Sequence, residues 1–416
     1  MTPESNHRLW LRSEEHRLIS WARQSRTSDA FGYLDGFGHV DAAAGRPLLI
    51  TARMTFVFSV AALRGDPDAI ADAAHGVAAM SRGINGFWDE VNTGWVSLLT
   101  DEPSQTSAAP GKSAYDHSFV LLASAAATVA QVPGAAGLLS KAMDVVLKRF
   151  WIEDEGALID SRSEDWSIAE NYRGANSNMH FVEACLVTHA ATGDSAWLRR
   201  ALRISDRLIN VNARENGWRL LEHYDDQWKP LPQYNAETPD DQFRPYGYLV
   251  GHSFEWSRLL LQLSWALRAA GSDEPWLVEA ARALWETGLS AGRAIDGIPG
   301  FVYSLDWNDE PVIRLRLHWV ISEAVGAAWT LFQETGDQLF LDHHDRFWDE
   351  IRRYFVDEEK GSWHHELSID GGPSARVWSG KPDVYHAIGA VVLPLLERSS
   401  TIVTGARDTA AARKNR

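Results

Sequence analysis

The sequence is poor in cysteine, in basic residues and in long apolar runs. Its single cysteine, Cys185, excludes a disulfide framework and cysteine-rich zinc sites, and it favours a reducing compartment, the cytoplasm. The 40 Lys and Arg are outnumbered by 56 Asp and Glu, and the net charge of −16 disfavours nucleic acid and anionic membranes as partners. The start, MTPESNHRLWLRSEEHR, has no apolar signal core, and the longest apolar-leaning run, residues 119–132, is too short to span a bilayer.

Tryptophan and histidine are plentiful instead. With 45% hydrophobic and 23% charged residues, the composition is that of a globular protein with a large core. The chain has 19 Trp, which offer flat apolar faces, and 15 His, which titrate near neutral pH. Together they suggest a site for a polar, ring-shaped ligand.

The chain is built from repeats. Short strand-like segments that begin with Gly beside an aromatic or apolar residue predict hairpins at Gly32, Gly86, Gly156, Gly217, Gly300 and Gly361. Between them lie pairs of helical patterns, the first of each pair very apolar and the second amphipathic. The turns within the pairs suit a left-handed helix end followed by a new helix, and they are RGD at 64–66, VPG at 132–134, TGD at 192–194, AGS at 270–272 and TGD at 335–337.

The repeat predicts twelve helices. Five pairs are joined by an amphipathic helix over about residues 7–25 and an apolar helix over about residues 386–397. Six apolar helices are best buried as an inner ring covered by six outer ones, so we predict an all-α (α/α)6 barrel with short β-hairpins in the connecting loops. An open α-solenoid is the alternative. We expect one domain over residues 1–398 and a disordered tail over residues 399–416, which has no apolar periodicity.

Polar residues open each predicted inner helix, in phase with the repeat. They are spaced 63 to 72 residues apart and are Arg53, His117, His180, His252, His318 and His386. Equivalent positions of a closed ring face one cavity, so we expect at least three of them to line a site. A histidine that opens an apolar helix can also be a satisfied core group, and we expect this most for His117 and His318.

Other residues near these positions extend the predicted site. Glu183 and Glu255 follow His180 and His252 by three residues on the same helical face, where a carboxylate can orient an imidazole, bind a ligand hydroxyl or only satisfy a neighbouring group. Aromatic residues close to the same positions offer stacking faces, and they are Tyr115, Trp319 and Trp378. Two long polar stretches, 161–178 and 222–251, are expected to cover the cavity.

We expect neither a metal nor a cofactor. The histidines come one per repeat, without HxH, HExxH or DxD spacing, so no metal ligand set is indicated. The phosphate-binding patterns GxGxxG and GxxxxGK[ST] are absent, as is the GxSxG pattern of serine hydrolases.

Seven segments resemble the N-acylglucosamine 2-epimerase superfamily, most closely its branch of mannose and sulfoquinovose isomerases. The resemblance runs from about His7 to Leu396, and its segments are ITARM (50–54), YRGANSNMHFVEA (172–184), LPQYN (231–235), FRPYGYLVGHSFEW (243–256), GFVYSLDWNDEPVIRLR (300–316), GSWHHEL (361–367) and VWSGKPDVYH (377–386). It implies an enzyme whose acid/base pair is His252 and His386. The sugar-binding residues that it implies are Arg53, Tyr115, Asn176, His180 and Glu255.

The resemblance implies a metal-independent aldose–ketose isomerase that acts on a monosaccharide. Sulfoquinovose isomerases of this branch carry additional polar residues where this sequence has Gln242, His365 and Pro382. This difference favours a neutral hexose, D-mannose, converted to D-fructose, with D-lyxose as a further substrate. Proton transfer through a cis-enediol by His386, with ring opening by His252 held by Glu255, is the expected mechanism, although the two roles can be reversed.

Other functions stay open on the sequence. They are a sulfoquinovose isomerase or sugar 2-epimerase of the same family, a glycoside hydrolase of the same fold and a non-catalytic sugar-binding protein. A hydrolase needs two carboxylates across the scissile bond, whereas imidazoles occupy the equivalent positions here. The sequence also leaves a homo-oligomer open.

Overall fold

The fold is helical, with short strands in the connections. The structure is a computed structural model, and it describes residues 3–101 and 111–414. These residues form thirteen α-helices: α1 Pro3–Arg23, α2 Leu48–Arg64, α3 Ala69–Ser81, α4 Ala114–Val129, α5 Ala135–Arg149, α6 Ala175–Thr192, α7 Ala196–Ser205, α8 Val250–Ala269, α9 Trp276–Gly292, α10 His318–Thr335, α11 Gln338–Glu350, α12 Tyr385–Val392 and α13 Ile402–Lys414. None of the helices in these residues is both long and apolar enough to cross a membrane.

The strands are two or three residues long. They are β1 Arg46–Pro47, β2 Leu98–Leu99, β3 Lys112–Ser113, β4 Trp151–Ile152, β5 Ala157–Leu158, β6 Ser161–Arg162, β7 Arg173–Gly174, β8 His223–Tyr224, β9 Tyr248–Leu249, β10 Ser304–Leu305, β11 Pro311–Ile313, β12 Arg316–Leu317 and β13 Glu366–Leu367. Antiparallel pairs join β1 to β2, β3 to β6, β4 to β5 and β12 to β13, and β10 lies between β9 and β11. The pair β4–β5 encloses Gly156, as predicted.

Four of the five predicted turns end a helix as expected, whereas Gly134 is the N-cap of α5. Their glycines all have positive φ, between 70° and 99°, which costs glycine little, and they are Gly65, Gly134, Gly193, Gly271 and Gly336. Asp337 then caps α11, since its carboxylate accepts a hydrogen bond from Leu339 N at 3.0 Å. Asp194 does the same for Ala196 N at 2.8 Å.

The first of two compact units comprises Met1–Leu18, Ser205–Lys381 and His386–Ser400. Helix α8 packs against α9 and α10, and α10 packs against α11. Every residue of α8 from Val250 to Leu267 is buried, so this helix forms the middle of the unit. The core beside it is aromatic, with the Phe254 ring 5.3 Å from Trp285 and 4.9 Å from Phe301.

The second unit comprises Ile19–Ile204, Pro382–Tyr385 and Thr401–Arg416. Helix α2 packs against α3 and α4, and α4 also packs against α5 and α6. Residues Leu48–Ala61 of α2 are all buried, although they include several polar side chains. Helix α6 carries Cys185, which is wholly buried, and burial raises the pKa of its thiol.

The prediction of a disordered tail over residues 399–416 was wrong for the part that the structure describes. Residues Ile402–Lys414 form α13, which packs against α2 of the same unit. Ile402, Val403 and Ala406 are buried together with their polar neighbours, so the start of α13, residues 402–406, is enclosed on every side of the helix. Three apolar residues were too short a pattern to recognise. Residues 415 and 416 lie outside the described part, and the single domain over 1–398 stays a prediction.

Candidate active site

His252, near the start of α8, is oriented by a carboxylate from another part of the first unit. Its Nδ1 lies 3.0 Å from each carboxylate oxygen of Glu222, which comes just before β8. Both side chains are buried, at 5% and 4% exposure. A carboxylate that accepts from Nδ1 fixes the tautomer and leaves Nε2 for acid/base work.

His386, the second residue of α12, has the same arrangement. Its Nδ1 donates to Glu323 Oε1 of α10 at 3.0 Å, and both residues are buried. The other oxygen of Glu323 accepts from Nε of Arg258 at 2.8 Å. This ion pair places the Glu323 carboxylate where it can stabilise an imidazolium.

Trp319 contacts both histidines. Its ring centroid lies 5.4 Å from that of His252 and 5.8 Å from that of His386. Gly251 makes this possible, because a Cβ there would lie 2.1 Å from Cζ3 of Trp319. The structure therefore brings two predicted catalytic histidines against the indole of a third predicted site residue.

Glu255 does not hold His252 as expected. His252 hydrogen-bonds Glu222, and Glu255 pairs with Arg258 at 3.5 Å, three residues further along α8. His252 and Arg258 each lie three residues from Glu255 along the helix, a favourable spacing for a side-chain pair. The guanidinium of Arg258 is always charged, whereas an imidazole near neutral pH is not, so Glu255 pairs with Arg258. The partner that His252 does have, Glu222, lies thirty residues upstream, where no periodic pattern points to it.

Glu255, Glu323 and His386 could offer one ligand atom each to a metal, since these atoms lie within 4.8 Å of one another. Arg258 already supplies a positive charge to both carboxylates, at 2.8 Å and 3.5 Å. A divalent ion would have to displace or repel this buried guanidinium. The ion pairs with Arg258 therefore make this cluster less suited to a divalent ion than its three ligand atoms alone suggest.

In the second unit, the predicted binding residue Arg53 is held by Asp383 and Tyr115. Its guanidinium donates to Asp383 Oδ2 and to the Tyr115 hydroxyl, both at 3.1 Å, and lies 4.7 Å from the Phe119 ring centroid. Burial is the largest single effect and lowers the pKa of Arg53, but Tyr115, Asp383 and Tyr385 together raise it by more, so the side chain stays charged. The second unit thus contains an oriented cation suited to sugar oxygens or a developing negative charge.

His180 and Asn176, on α6, complete the predicted residues of the second unit. The His180 ring is 5.2 Å from Tyr115 and 4.7 Å from Phe119, and His180 is 3% exposed. Its Nδ1 lies 4.0 Å from Glu183, the carboxylate three residues on. In the described part of the chain, the buried Oδ1 of Asn176 has no hydrogen-bond partner, and a ligand hydroxyl would satisfy it.

His117 is satisfied within the core, and His318 also uses its ring nitrogen locally. The Nδ1 of His117 donates to Ser113 O at 2.7 Å, and its Nε2 accepts from Trp95 N at 3.2 Å. Burial lowers the pKa of His117 to about 3. His318 Nδ1 contacts His365 O at 3.3 Å, and the two rings stack at 3.8 Å.

The buried neutral His117 is expected to make the protein less stable in acid. Its pKa is about 3 when folded but 6.5 ordinarily, so below pH 6.5 only the unfolded chain takes up the proton. The contribution of His117 to the free energy of unfolding is fully present above pH 6.5 and falls by about 1.4 kcal/mol per pH unit toward pH 3. In urea unfolding between pH 7.5 and 5, His117→Gln should show a shallower pH dependence than the wild type. Equal slopes would contradict the assignment.

Comparisons with known proteins establish the family of this chain. The family model for N-acylglucosamine 2-epimerase matches residues 30–390. The D-mannose isomerase of Pseudomonas cannabina pv. alisalensis is 43% identical over 96% of this chain and 95% of its own length. That of Thermobifida fusca is 44% identical over 95% of this chain and 96% of its own. This chain therefore belongs to the N-acylglucosamine 2-epimerase family, as the sequence motifs predicted.

The fold class follows from a solved structure. A crystal structure of a D-mannose isomerase superposes with a TM-score of 0.84, at 24% identity, and the match covers 93% of this chain and 97% of that one. This similarity confirms the predicted all-α (α/α)6 barrel class.

Proposed function

We propose that this protein is an aldose–ketose isomerase that interconverts D-mannose and D-fructose without a metal. Two full-length relatives at 43% and 44% identity carry the name D-mannose isomerase, which supports this substrate. The observation that carries the mechanism is the pair of buried histidines, each with Nδ1 on a carboxylate and both against Trp319.

The chemistry requires two kinds of proton transfer. Ring opening moves a proton from the anomeric hydroxyl to the ring oxygen and exposes the C1 aldehyde. C2–H then becomes acidic, and removal of this proton gives a cis-enediol. Return of the proton to C1, with transfer of the O2 proton to O1, yields the ketose. Imidazole suits each step near neutral pH.

We assign the transfer between C2 and C1 to Nε2 of His386. Glu323 accepts from Nδ1 and stabilises the imidazolium that forms, and Arg258 holds Glu323 in place. His252, held by Glu222, would open the ring and move the hydroxyl protons. The pairs His252–Glu222 and His386–Glu323 have the same arrangement, so the two histidines could exchange roles, and experiment can decide between the two assignments.

The other predicted residues bind the sugar in this proposal. Arg53 would stabilise the charge of the enediolate, and Tyr115, Asn176, His180 and Glu255 would contact hydroxyl groups. Trp319 and Trp378 would offer aromatic faces to the sugar. The proposed substrate is a free monosaccharide, and the single buried cysteine supports a place in the cytoplasm.

The alternative of a glycoside hydrolase receives less support. It requires a carboxylic acid and a carboxylate facing the glycosidic bond. Glu222 and Glu323 are instead bonded to imidazole nitrogens, and Glu323 and Glu255 are paired with Arg258. These carboxylates act on protein groups and not on a leaving oxygen.

Isotope exchange tests the proposal. The enzyme is incubated with D-mannose in D2O, and the products are separated and examined by NMR. We expect fructose with solvent deuterium at C1 and recovered aldose with deuterium at C2. Glucose as the main product would indicate an epimerase, and transfer of hydrogen without any exchange would contradict an open enediol. A panel with lyxose, sulfoquinovose and a mannose disaccharide would separate the remaining alternatives.

A further inference from the structure

Glu366, the first residue of β13, has no role in the proposed chemistry, but it organises the segment that carries Trp378. Its carboxylate is 1% exposed and accepts four hydrogen bonds, two on each oxygen. Oε1 accepts from Ser374 Oγ at 2.5 Å and Arg376 N at 2.7 Å, and Oε2 accepts from Val377 N at 2.8 Å and Trp378 N at 2.9 Å. Residues 374–378 are called the 374–378 segment below.

Four donors surround the buried carboxylate of Glu366, so the carboxylate and the backbone conformation of the 374–378 segment stabilise each other. A buried carboxylate is tolerated only when donors surround it, and hydrogen bonds to an ionised group are stronger than neutral ones. The three backbone N–H groups point to Glu366, and the main chain adds a bond from Ser374 N to Glu366 O at 2.9 Å. Without the charge, this backbone conformation loses its main support.

A short series of contacts connects Glu366 to the proposed acid/base pair, His252 and His386. Strand β13 pairs with β12, with Glu366 opposite Leu317, and β12 runs directly into α10. His318 N at the start of α10 donates to His365 O at 3.0 Å. The next residue, Trp319, contacts both His252 and His386. All these residues belong to the first unit.

The far side of the 374–378 segment contacts the long polar stretch before α8. The Trp378 ring lies 5.7 Å from Phe243, and Arg376 Nε donates to Asp240 Oδ2 at 2.9 Å. Within the described residues, the buried Nε1 of Trp378 has no hydrogen-bond partner. An indole N–H without an acceptor can donate a hydrogen bond to a hydroxyl group of a ligand.

We propose that Glu366 is a positioning residue for the sugar. Through four hydrogen bonds, its carboxylate fixes the 374–378 segment so that Trp378 presents its ring and its N–H to the substrate. This inference rests on the proposed function. Because Glu366 acts on binding and touches no reacting atom, its loss should weaken substrate binding and leave proton transfer nearly unchanged.

Glu366→Gln is the informative variant. Glutamine has one acceptor oxygen, so its NH2 group must face two of the four donors. We expect KM for mannose to rise about tenfold and kcat to stay within about twofold of the wild type. Hydrogen exchange followed by mass spectrometry should show faster exchange of the amides of residues 376–378. Trp378→Ala should raise KM similarly, and the double variant should add little.

Asp306→Asn is the matched control. Asp306 also holds a turn of the first unit, but both of its bonds to backbone N–H groups go to Oδ1, from Asn308 N at 2.8 Å and Glu310 N at 2.9 Å, and Oδ2 accepts a long bond from the Asn308 side chain at 3.5 Å. Asparagine keeps Oδ1, so KM and the exchange of the 374–378 segment should match the wild type. Should Glu366→Gln fail to fold, Ser374→Ala removes one donor and should raise KM less, in the same direction.

The outcomes are distinguishable. Unchanged exchange at residues 376–378 in Glu366→Gln, or faster exchange with an unchanged KM, would overturn the positioning role. Additive effects of Glu366→Gln and Trp378→Ala on KM would do the same. If the wild type does not convert mannose, the proposed function fails, and the exchange measurement alone then decides whether Glu366 orders the segment.

Discussion

Replacing His386 by alanine is expected to lower kcat for the conversion of mannose to fructose by about 10² to 10⁴-fold, the range for one positioned proton transfer. The imidazole lost is the one that Glu323 and Arg258 orient. KM should change much less, because the proposed role concerns the transition state and not substrate binding. Steady-state kinetics with fructose detection and circular dichroism of the folded variant provide the measurement.

The matched control for this variant is His39→Ala. The His39 side chain is 82% exposed and pairs at 3.6 Å with Asp35, so its removal should leave kcat unchanged. If His386→Ala also kept the kcat of the wild type, proton transfer by His386 would be refuted. If only His252→Ala abolished deuterium exchange at C2, the roles of the two histidines would have to be reversed.

Replacing Glu222 by glutamine is expected to have the second largest effect, a decrease of kcat by about 10- to 100-fold. Glutamine is nearly the same size and can still accept from Nδ1 of His252, but it carries no charge. A hydrogen bond to a charged group contributes about 1.5 to 3 kcal/mol, and each 1.36 kcal/mol corresponds to tenfold in rate. Kinetics at saturating mannose measures the effect.

Glu215→Gln serves as the control for this substitution. Glu215 is an exposed residue of the same unit, so the loss of one negative charge there should not affect turnover. A kcat for Glu222→Gln equal to that of the control would mean that the carboxylate only fills space beside His252. Thermal unfolding of both variants separates a loss of catalysis from a loss of structure.

Much of the fold could be predicted because local signals agree with it. Glycines such as Gly65 and Gly193 end helices in the left-handed conformation, and they occur once per helix pair. The alternation of very apolar and amphipathic helices then follows from burial, as the fully buried α8 demonstrates. In α13, by contrast, only a few apolar residues are buried, and a pattern so short cannot be distinguished from chance.

The candidate site was predicted where its residues follow the repeat and missed where they do not. His252 and His386 stand near the starts of α8 and α12, and their periodic spacing indicated them. Glu222 lies in an irregular stretch before β8. Glu323 follows His318 by five residues but accepts a hydrogen bond from His386 instead. Such partners are chosen by tertiary contacts between distant segments, which single-sequence spacing does not contain.

The buried Cys185 has a practical consequence for spectroscopy. Since it is the one cysteine of the sequence, and burial raises the pKa of its thiol, thiol-reactive dyes should leave the native protein unlabelled. A cysteine introduced at the exposed Phe243 would then be the sole labelling position. A fluorophore attached there would report directly on the neighbourhood of Trp378 while sugar is added.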